Sequence, residues 1–329
     1  ELAERVLAQP LAWLQYPELE LLLHQLKLRA DAHDVSSLSR YLERQGRARC
    51  WRGRSAPDFL GDLHFAPTRR AVQGPLLSVL MAARDAATTL PAAIDSILQQ
   101  SYTNLELLVA DDASSDGSLA LLRERYAREP RVRVFASPRS QGPYNLRNAL
   151  LAHARGELIT FHDADDLSLP SRFARQVRCL EQTGHVACVS SWLRLRANGS
   201  AVFFGDGRAT RLSVVSLLVA RHALAAVGPY PRARFAADLD IARRLAQRYG
   251  ELPRLQQPLL LGLWSSSSLT RSRQAEALES GYRAPARRRY SELLFRRDLL
   301  GPDALPEALL EAELVHMENY VEPVAIEPL

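Results

Sequence analysis

The chain has 329 residues, 47% of them hydrophobic and 24% charged, an ordinary globular composition with room for one large domain plus appendages or for two domains. No apolar run approaches the roughly 18 to 20 residues of a membrane-spanning helix, and the opening ELAERVLAQPLAWLQ carries acids where a secretory leader would be basic, so neither is expected. The net charge of +5 is almost wholly arginine, because lysine occurs once, at Lys27; such a surface suits phosphates, nucleotides or an anionic membrane face. The basic residues are dispersed, with no aromatic-interleaved basic strand and no zinc finger, which argues against nucleic acid as a partner. Cys50, Cys179 and Cys188 lack metal-site spacing, and an odd count argues against a disulfide framework, pointing to a reducing, cytoplasmic setting.

In chain order, residues 1–75 read as a helical N-terminal extension. Leu19, Leu22, Leu23 and Leu26 recur at helical spacing, and VSSLSRYL (35–42) suggests a second short helix. Residues 55–74, rich in Pro, Gly and Arg, read as loop. The extension reads first as a packing or oligomerisation element and second as a docking surface.

At Pro75 the texture changes. LLSVLMA (76–82) is a buried strand ending at Arg84 and Asp85, followed by a helix from about Thr89 to Gln100. LELLVA (105–110) is a second strand ending at Asp111 and Asp112; the turn ASSDGS leads into a helix with Leu119, Leu122 and Tyr126 on one face. RVRVFA (131–136) is a third strand, Asn145 to Ala154 a helix, and Leu158 to Phe161 a fourth strand that runs into Asp163, Asp165 and Asp166. Strands and helices alternating across short connections imply an α/β fold with a largely parallel, doubly wound sheet. Ligands of such sheets sit at the carboxyl ends of the strands. Three neighbouring carboxylates repel unless a cation lies among them. A divalent metal carrying a nucleotide diphosphate would answer that; the plainer reading is a helix N-terminus with Pro170 near its first turn. No G-x-G-x-x-G follows the first strand and no P-loop is present, which weakens a dinucleotide-binding reading.

Past the acids, a helix is expected over 171–181, strands over 186–195 and 201–204 joined by the turn 197–200, and a helix over 212–227. Residues 235–240 open a helix running to Tyr249, and 255–263 form a last strand leading into Trp264 and Ser265 to Ser268. Residues 271–329 read as a helical C-terminal extension that ends, after Tyr320, in an extended tail.

Five motifs in order are more specific than any of these elements. MAARD (81–85), VADDASSDGS (109–118), GPYNLRNALLAHARGE (142–157), FHDADD (161–166) and ADLD (237–240) resemble, in sequence and spacing, a GT-A-fold glycosyltransferase of family 2. The resemblance spans residues 76–270, about three fifths of the chain, and WSSSSLT (264–270) is similar to the close of some family members. It implies a GT-A domain between helical extensions and an inverting transfer from a nucleotide-sugar donor, with a UDP-sugar expected. By the same resemblance, Asp111 and Asp112 contact the uracil and ribose, with the backbone near Ala83 and the neighbouring Asp85 helping. Arg147 approaches the nucleotide or diphosphate and Asn148 supports that loop. Asp163 and Asp165 form the DxD pair: Asp165 ligates Mn²⁺ or Mg²⁺, and Asp163 lies near the ribose or a metal-bound water. Asp166 holds the loop. Asp238 is the implied general base, with Asp240 second and a helix cap as its structural alternative. The implied acceptor is a hydroxyl of a glycan, lipid-linked sugar or glycoprotein in bacterial surface polysaccharide synthesis. A lipid-linked acceptor calls for peripheral docking at the inner membrane through the Arg-rich flanks. No oligomeric state is implied.

The sequence departs from the family pattern in places. Asp85 stands where Asn is common, Arg84 where an aromatic is, and Ala237 where an acid often precedes the base; His162 before the acid pair is unusual. A second class, a catalytically weak GT-A scaffold subunit of a glycan assembly complex, is disfavoured by the retained Asp163, Asp165 and Asp238. A sugar nucleotidyltransferase would want a Gly-rich phosphate loop and a lysine near residues 81–90, and an aspartyl phosphatase a later lysine; neither is present.

Overall fold

The computed structural model describes residues 16–53, 59–68, 70–233, 237–264, 292–293 and 321–329. Residues 1–15, the serines after Trp264 and nearly all of the expected C-terminal helices lie outside these residues.

The first four strands of the main sheet arise as the pattern predicts. They are β3 (Leu77–Ala83), β4 (Leu105–Asp111), β5 (Val132–Ala136) and β6 (Leu158–Asp163), numbered after a hairpin-like pair β1 (Cys50–Arg52) and β2 (Leu63–Phe65). They pair in parallel in the order β5-β4-β3-β6. Alternation along each strand splits its apolar residues between two faces. Val79, Met81, Leu107 and Val109 face one way, onto α3 (Leu90–Leu98), α4 (Ser118–Tyr126) and α6 (Arg172–Thr183). Leu80, Leu108, Phe135, Ile159 and Phe161 face the other, onto α5 (Gly142–His153), α7 (Arg221–Val227) and α8 (Ala237–Tyr249). This is the helix-covered, doubly wound arrangement that continuous apolar strands require.

The second half of the sheet is mixed. Its full order is β11-β5-β4-β3-β6-β9-β8-β10-β7, where β7 is Asp166–Ser168, β8 Ala187–Arg196, β9 Thr210–Ala220, β10 Arg254–Trp264 and β11 Glu327–Pro328. Here the expectations need two corrections. The segment from Leu212 read as helix, but residues 210–220 are a strand, and the helix begins only at Arg221. An apolar run buried on both faces carries no periodicity to separate strand from helix. The part of β9 over 216–219 is such a run: β9 lies between β6 and β8, antiparallel to both. The expected strand over 201–204 is reduced to a single bridge, Leu195 to Ala201. The turn 197–200 is present, with Gly199 at φ +85°.

The N-terminal residues share a core with the sheet. In α1 (Glu18–Ala30) the periodic leucines do not define the buried face: Leu22 and Leu26 are exposed, whereas Leu21, Glu20 and His24 are buried. Leu21 joins Leu38, Tyr41 and Leu42 of α2 (Ser36–Gln45) over Leu167, Leu193, Leu195 and Leu261. Glu20 is held by Arg40 and Arg44, each at 3.1 Å. The His24 ring nitrogen Nε2 contacts the carbonyl of Gly199 at 3.1 Å. These two tethers keep Glu20 and His24 inward beside Leu21, with Leu22 and Leu26 outward.

Gly199 allows the turn to sit there: a Cβ would lie 2.3 Å from the Phe59 ring, on a backbone already in the left-handed region. Gly199→Ala is expected to cost about 2–4 kcal/mol, the sum of overpacking and positive-φ strain. Urea melts followed by circular dichroism would check this, and a cost under about 0.5 kcal/mol would show that the contact with α1 is slack.

Candidate active site

The carboxyl ends of β3, β4 and β6 carry Ala83, Asp111 and Asp163 side by side, as register pairs Ala83 with Asp111 and Ala82 with Asp163 show. The Ala83 carbonyl accepts the Asp112 N–H at 2.8 Å. Asp111 is buried; its Oδ2 accepts the Ser114 N–H at 3.0 Å, while Oδ1 has no partner. Asp112 is also buried, but its carboxylate is committed. Oδ1 accepts the Gln141 N–H at 2.7 Å, and Oδ2 accepts the Gly142 N–H at 3.0 Å and the Ser140 hydroxyl at 2.9 Å. Of the acid pair, Asp111 thus keeps an oxygen free for a ligand, and Asp112 shapes the loop that starts α5.

Asp85 sits at φ +46° and accepts the Ser115 N–H at 2.8 Å. Asp and Asn are the side chains that tolerate this left-handed backbone best, so the exchange of Asn for Asp keeps the conformation. Arg84 donates to Ser140, joining the first-strand loop to the same network.

Helix α5 brings two further groups in. Tyr144 and Arg147 are three residues apart and share a face. Arg147 is 3% exposed, with Nη2 at 2.5 Å from Asp163 Oδ1 and its guanidinium 5.6 Å from the Tyr144 and Phe161 ring centroids. Its Nε has no partner. The Tyr144 hydroxyl donates to Asp238 Oδ1 at 3.0 Å. One helix therefore joins the acid at the end of β6 to the acid at the start of α8. Asn148 braces the arrangement, its side chain exchanging two 2.9 Å hydrogen bonds with the backbone of Tyr230. Tyr230 in turn packs its ring 5.2 Å from both Tyr144 and Phe161.

Asp238 is the second residue of α8, and Asp240 lies beside it in the first turn. Asp240 is buried and bound to Arg244 at 2.8 Å, so it is neutralised within the helix. Asp238 is the partly exposed one of the two. Ala237 is fully buried in the apolar core, which accounts for an alanine where an acid often stands.

The acid cluster is short of positive charge. Desolvation first, and the Asp163 charge second, push the Asp165 carboxyl up to about 6. Asp166 is raised further, by burial and then by Asp165 and Asp163, and its Oδ2 has no partner. The guanidiniums of Arg194 and Arg172 offset this only in part. Among the described residues no three His, Cys, Asp or Glu side chains form a ready-made cation cage. Two carboxylates with an orphaned third beside them nevertheless suit a hard divalent cation that takes its other ligands from phosphate and water. His162 stands just before these acids, and its Nε2 has no partner. It is fully buried, and its Nδ1 donates to the Asp163 carbonyl at 2.8 Å, since a carbonyl can only accept. Burial and the nearby Arg172 hold its pKa down to about 3, so it stays neutral.

Several site residues were invisible in the sequence. Arg172, fully buried, binds the Phe161 carbonyl, Thr160 and Ser168, and wires β6 to β7. Arg194 lies 3.7 Å over the Trp192 ring and 5.4 Å from that of Trp264. Across β10, Gly262 makes room for them: a Cβ there would lie 3.2 Å from Asp166 Oδ1 and from the Trp192 ring. Only Tyr144 carried a signal, its three-residue spacing from Arg147.

Residues 78–201 match the model of glycosyl transferase family 2. Among curated proteins, the putative glycosyltransferase EpsE of Bacillus subtilis is 38% identical over 119 residues, 36% of this chain and 43% of that protein. The Escherichia coli UDP-Glc:alpha-D-GlcNAc-diphosphoundecaprenol beta-1,3-glucosyltransferase WfgD is 34% identical over 102 residues, 31% of this chain and 40% of that protein. The chain thus spans about two fifths of the curated relatives it matches. Among solved structures, S. aureus TarS 1-349 in complex with UDP-GlcNAc superimposes with a TM-score of 0.54 at 17% identity, over 74% of this chain and 71% of that one. Residues 78–201 thus carry the sequence pattern of glycosyltransferase family 2, and they do so within a GT-A-type fold.

The acid cluster gives a stability test. A carboxyl raised from 3.8 to about 6 keeps its proton in the folded chain where the unfolded chain has lost it. Its contribution to stability therefore falls as pH rises through that window, and the cost is complete above it. In chelator at about pH 8, Asp165→Asn is expected to stabilise the protein by about 1–3 kcal/mol, and near pH 4 by almost nothing. Thermal melts at the two pH values check this; equal gains at both would remove the electrostatic explanation.

Proposed function

We propose that the protein is an inverting glycosyltransferase that moves a sugar from a UDP-sugar to a hydroxyl of a glycan or lipid-linked acceptor in bacterial surface polysaccharide synthesis. The observation that carries this reading is the pair of links made by α5, Arg147 to Asp163 and Tyr144 to Asp238. They tie Asp163, read as the donor-side acid, and Asp238, read as the acceptor-side acid, to one helix. The donor class is supported by relatives whose names specify UDP-Glc and by the UDP-GlcNAc complex of TarS.

Asp111 Oδ1, the unpartnered oxygen at the end of β4, accepts from the nucleoside, and Arg147 Nε donates to the diphosphate side. Asp163 and Asp165 would hold Mn²⁺ or Mg²⁺, which supplies neutralisation of the charge on the departing diphosphate. Asp238 takes the acceptor's proton at Oδ2, because Oδ1 is occupied by the Tyr144 hydroxyl. As that proton leaves, the acceptor oxygen bonds to the anomeric carbon from the face opposite the diphosphate, and the bond to the diphosphate breaks. Configuration inverts in one displacement. Tyr144 fixes which oxygen of Asp238 faces the acceptor.

The test is nucleotide release from a panel of UDP-, GDP- and dTDP-sugars, with Mn²⁺ or with EDTA. One UDP-sugar should be turned over, and only with metal and with Asp165 in place. Asp238→Asn should lower kcat by about 10²- to 10⁴-fold while leaving UDP binding intact. Failure of all donors to turn over, combined with no metal-dependent UDP binding, would sink the enzyme reading in favour of a scaffold.

A further inference from the structure

Residues 321–329 return to the sheet from the far side of a long stretch of chain, and they do so beside the elements that carry the site. β11 pairs antiparallel with β5, Glu327 opposite Ala136 and Pro328 opposite Phe135, and Leu329 N–H donates to the Val134 carbonyl at 2.9 Å. Ile326 is buried in the same apolar cluster as Phe135, Tyr144, Phe161 and Tyr230.

The polar contacts are more telling. Gln141 is 1% exposed, and its side-chain amide pairs with Val324 as a peptide would: Nε2 donates to the Val324 carbonyl and Oε1 accepts the Val324 N–H, both at 2.9 Å. Asn145, 2% exposed, donates from Nδ2 to the Val321 carbonyl at 2.8 Å. The Val321 N–H donates to the Arg232 carbonyl at 3.0 Å.

Three pieces are thus stitched together. The loop before α5 is held through Gln141, whose backbone N–H is itself bound by Asp112. The first turn of α5 is held through Asn145, one residue from Tyr144 and two from Arg147. The segment before α8 is held at Arg232. Two polar side chains have been buried at the base of a proposed donor cleft to grip another part of the chain, and burying them unpaired would be costly.

We infer that residues 321–329 are a strap that sets the separation between α5 and α8, with Gln141 and Asn145 as positioning residues that act through it on Tyr144, Arg147 and Asp238. The inference rests on the glycosyltransferase reading for what is positioned. Without the strap, α5 keeps its Asn148 brace to Tyr230 at its middle but loses the Gln141 and Asn145 side-chain contacts at the end that carries Tyr144, where the Asp112 carboxylate still holds the backbone of the preceding loop. The acceptor-side acid then drifts relative to the donor-side pair. A misplacement of about 1 Å in such a constellation can lower a rate by about 10²-fold.

The experiment compares wild type, Gln141→Leu and a chain ending at Tyr320, by amide hydrogen exchange and by metal-dependent UDP release. Exchange over residues 142–148 and 228–233 is expected to rise about tenfold or more in both variants, with the strands 77–83 and 105–111 unchanged. kcat is expected to fall about 10- to 100-fold with the Kd for UDP within about threefold of wild type. Unchanged exchange in 142–148 overturns the strap whatever the activity. So does raised exchange with full kcat, or a loss of global melting that shows the segment to be plain core. If wild type neither releases UDP nor binds it with metal, the catalytic reading falls by itself, and the exchange comparison still decides whether these residues hold α5 and the segment before α8 together.

Discussion

A buried guanidinium dictates much of this structure. Arg147 lies inside, and a charge there is tolerable only beside an opposite charge with good geometry. Asp163 meets that demand at 2.5 Å, and it can do so only because β6 ends where α5 crosses. The aromatic faces of Tyr144 and Phe161 wall the cation in, and Tyr230 packs against both. The pair is nonetheless not saturated, since Nε of Arg147 is without a partner. The fold has placed a cation, fixed its direction and kept one donor in reserve.

Around that pair the charges are not balanced by direct ion pairs within the chain. Three carboxylates, at 163, 165 and 166, face three arginines, at 147, 172 and 194, yet only one direct ion pair among them is made. Arg172 is given over to the backbone and hydroxyls of its own neighbourhood, and burial lowers its pKa to about 9. Arg194 lies against tryptophans. Asp165 and Asp166 are left raised. Such tension at a strand's carboxyl end is the usual cost of a preorganised polar site.

How much of this could be read in advance followed from where the information lies. Strands β3 to β6 were legible because each is a bounded apolar run, and the acids at their ends announced the cleft. β9 was not, because a strand buried between two antiparallel neighbours has the same texture as a buried helix. The leucines of α1 misled because Glu20 and His24, tied to Arg40, Arg44 and Gly199, decide which way that helix faces. Asp111 and Asp112 look equivalent in sequence; only the loop at 140–142 distinguishes the free carboxylate from the committed one. Arg194 and Arg172 gave no local cue, since their roles come from residues far along the chain.

The placement of β9 and β11 also bears on how the chain reaches this state. The four parallel strands are complete once residue 163 has formed, but among the described residues the outer side of β6 is covered by β9, from residue 210 onward, and the outer side of β5 by residues 327–329. Until then both flanks present unpaired backbone, the kind of edge that recruits other strands. Emergence from the ribosome therefore leaves the half-made sheet open on one flank for some fifty residues and on the other until the last of these residues has been added. Yield on expression should therefore depend on residues 327–329, which close that flank, as well as on the core that the strands build.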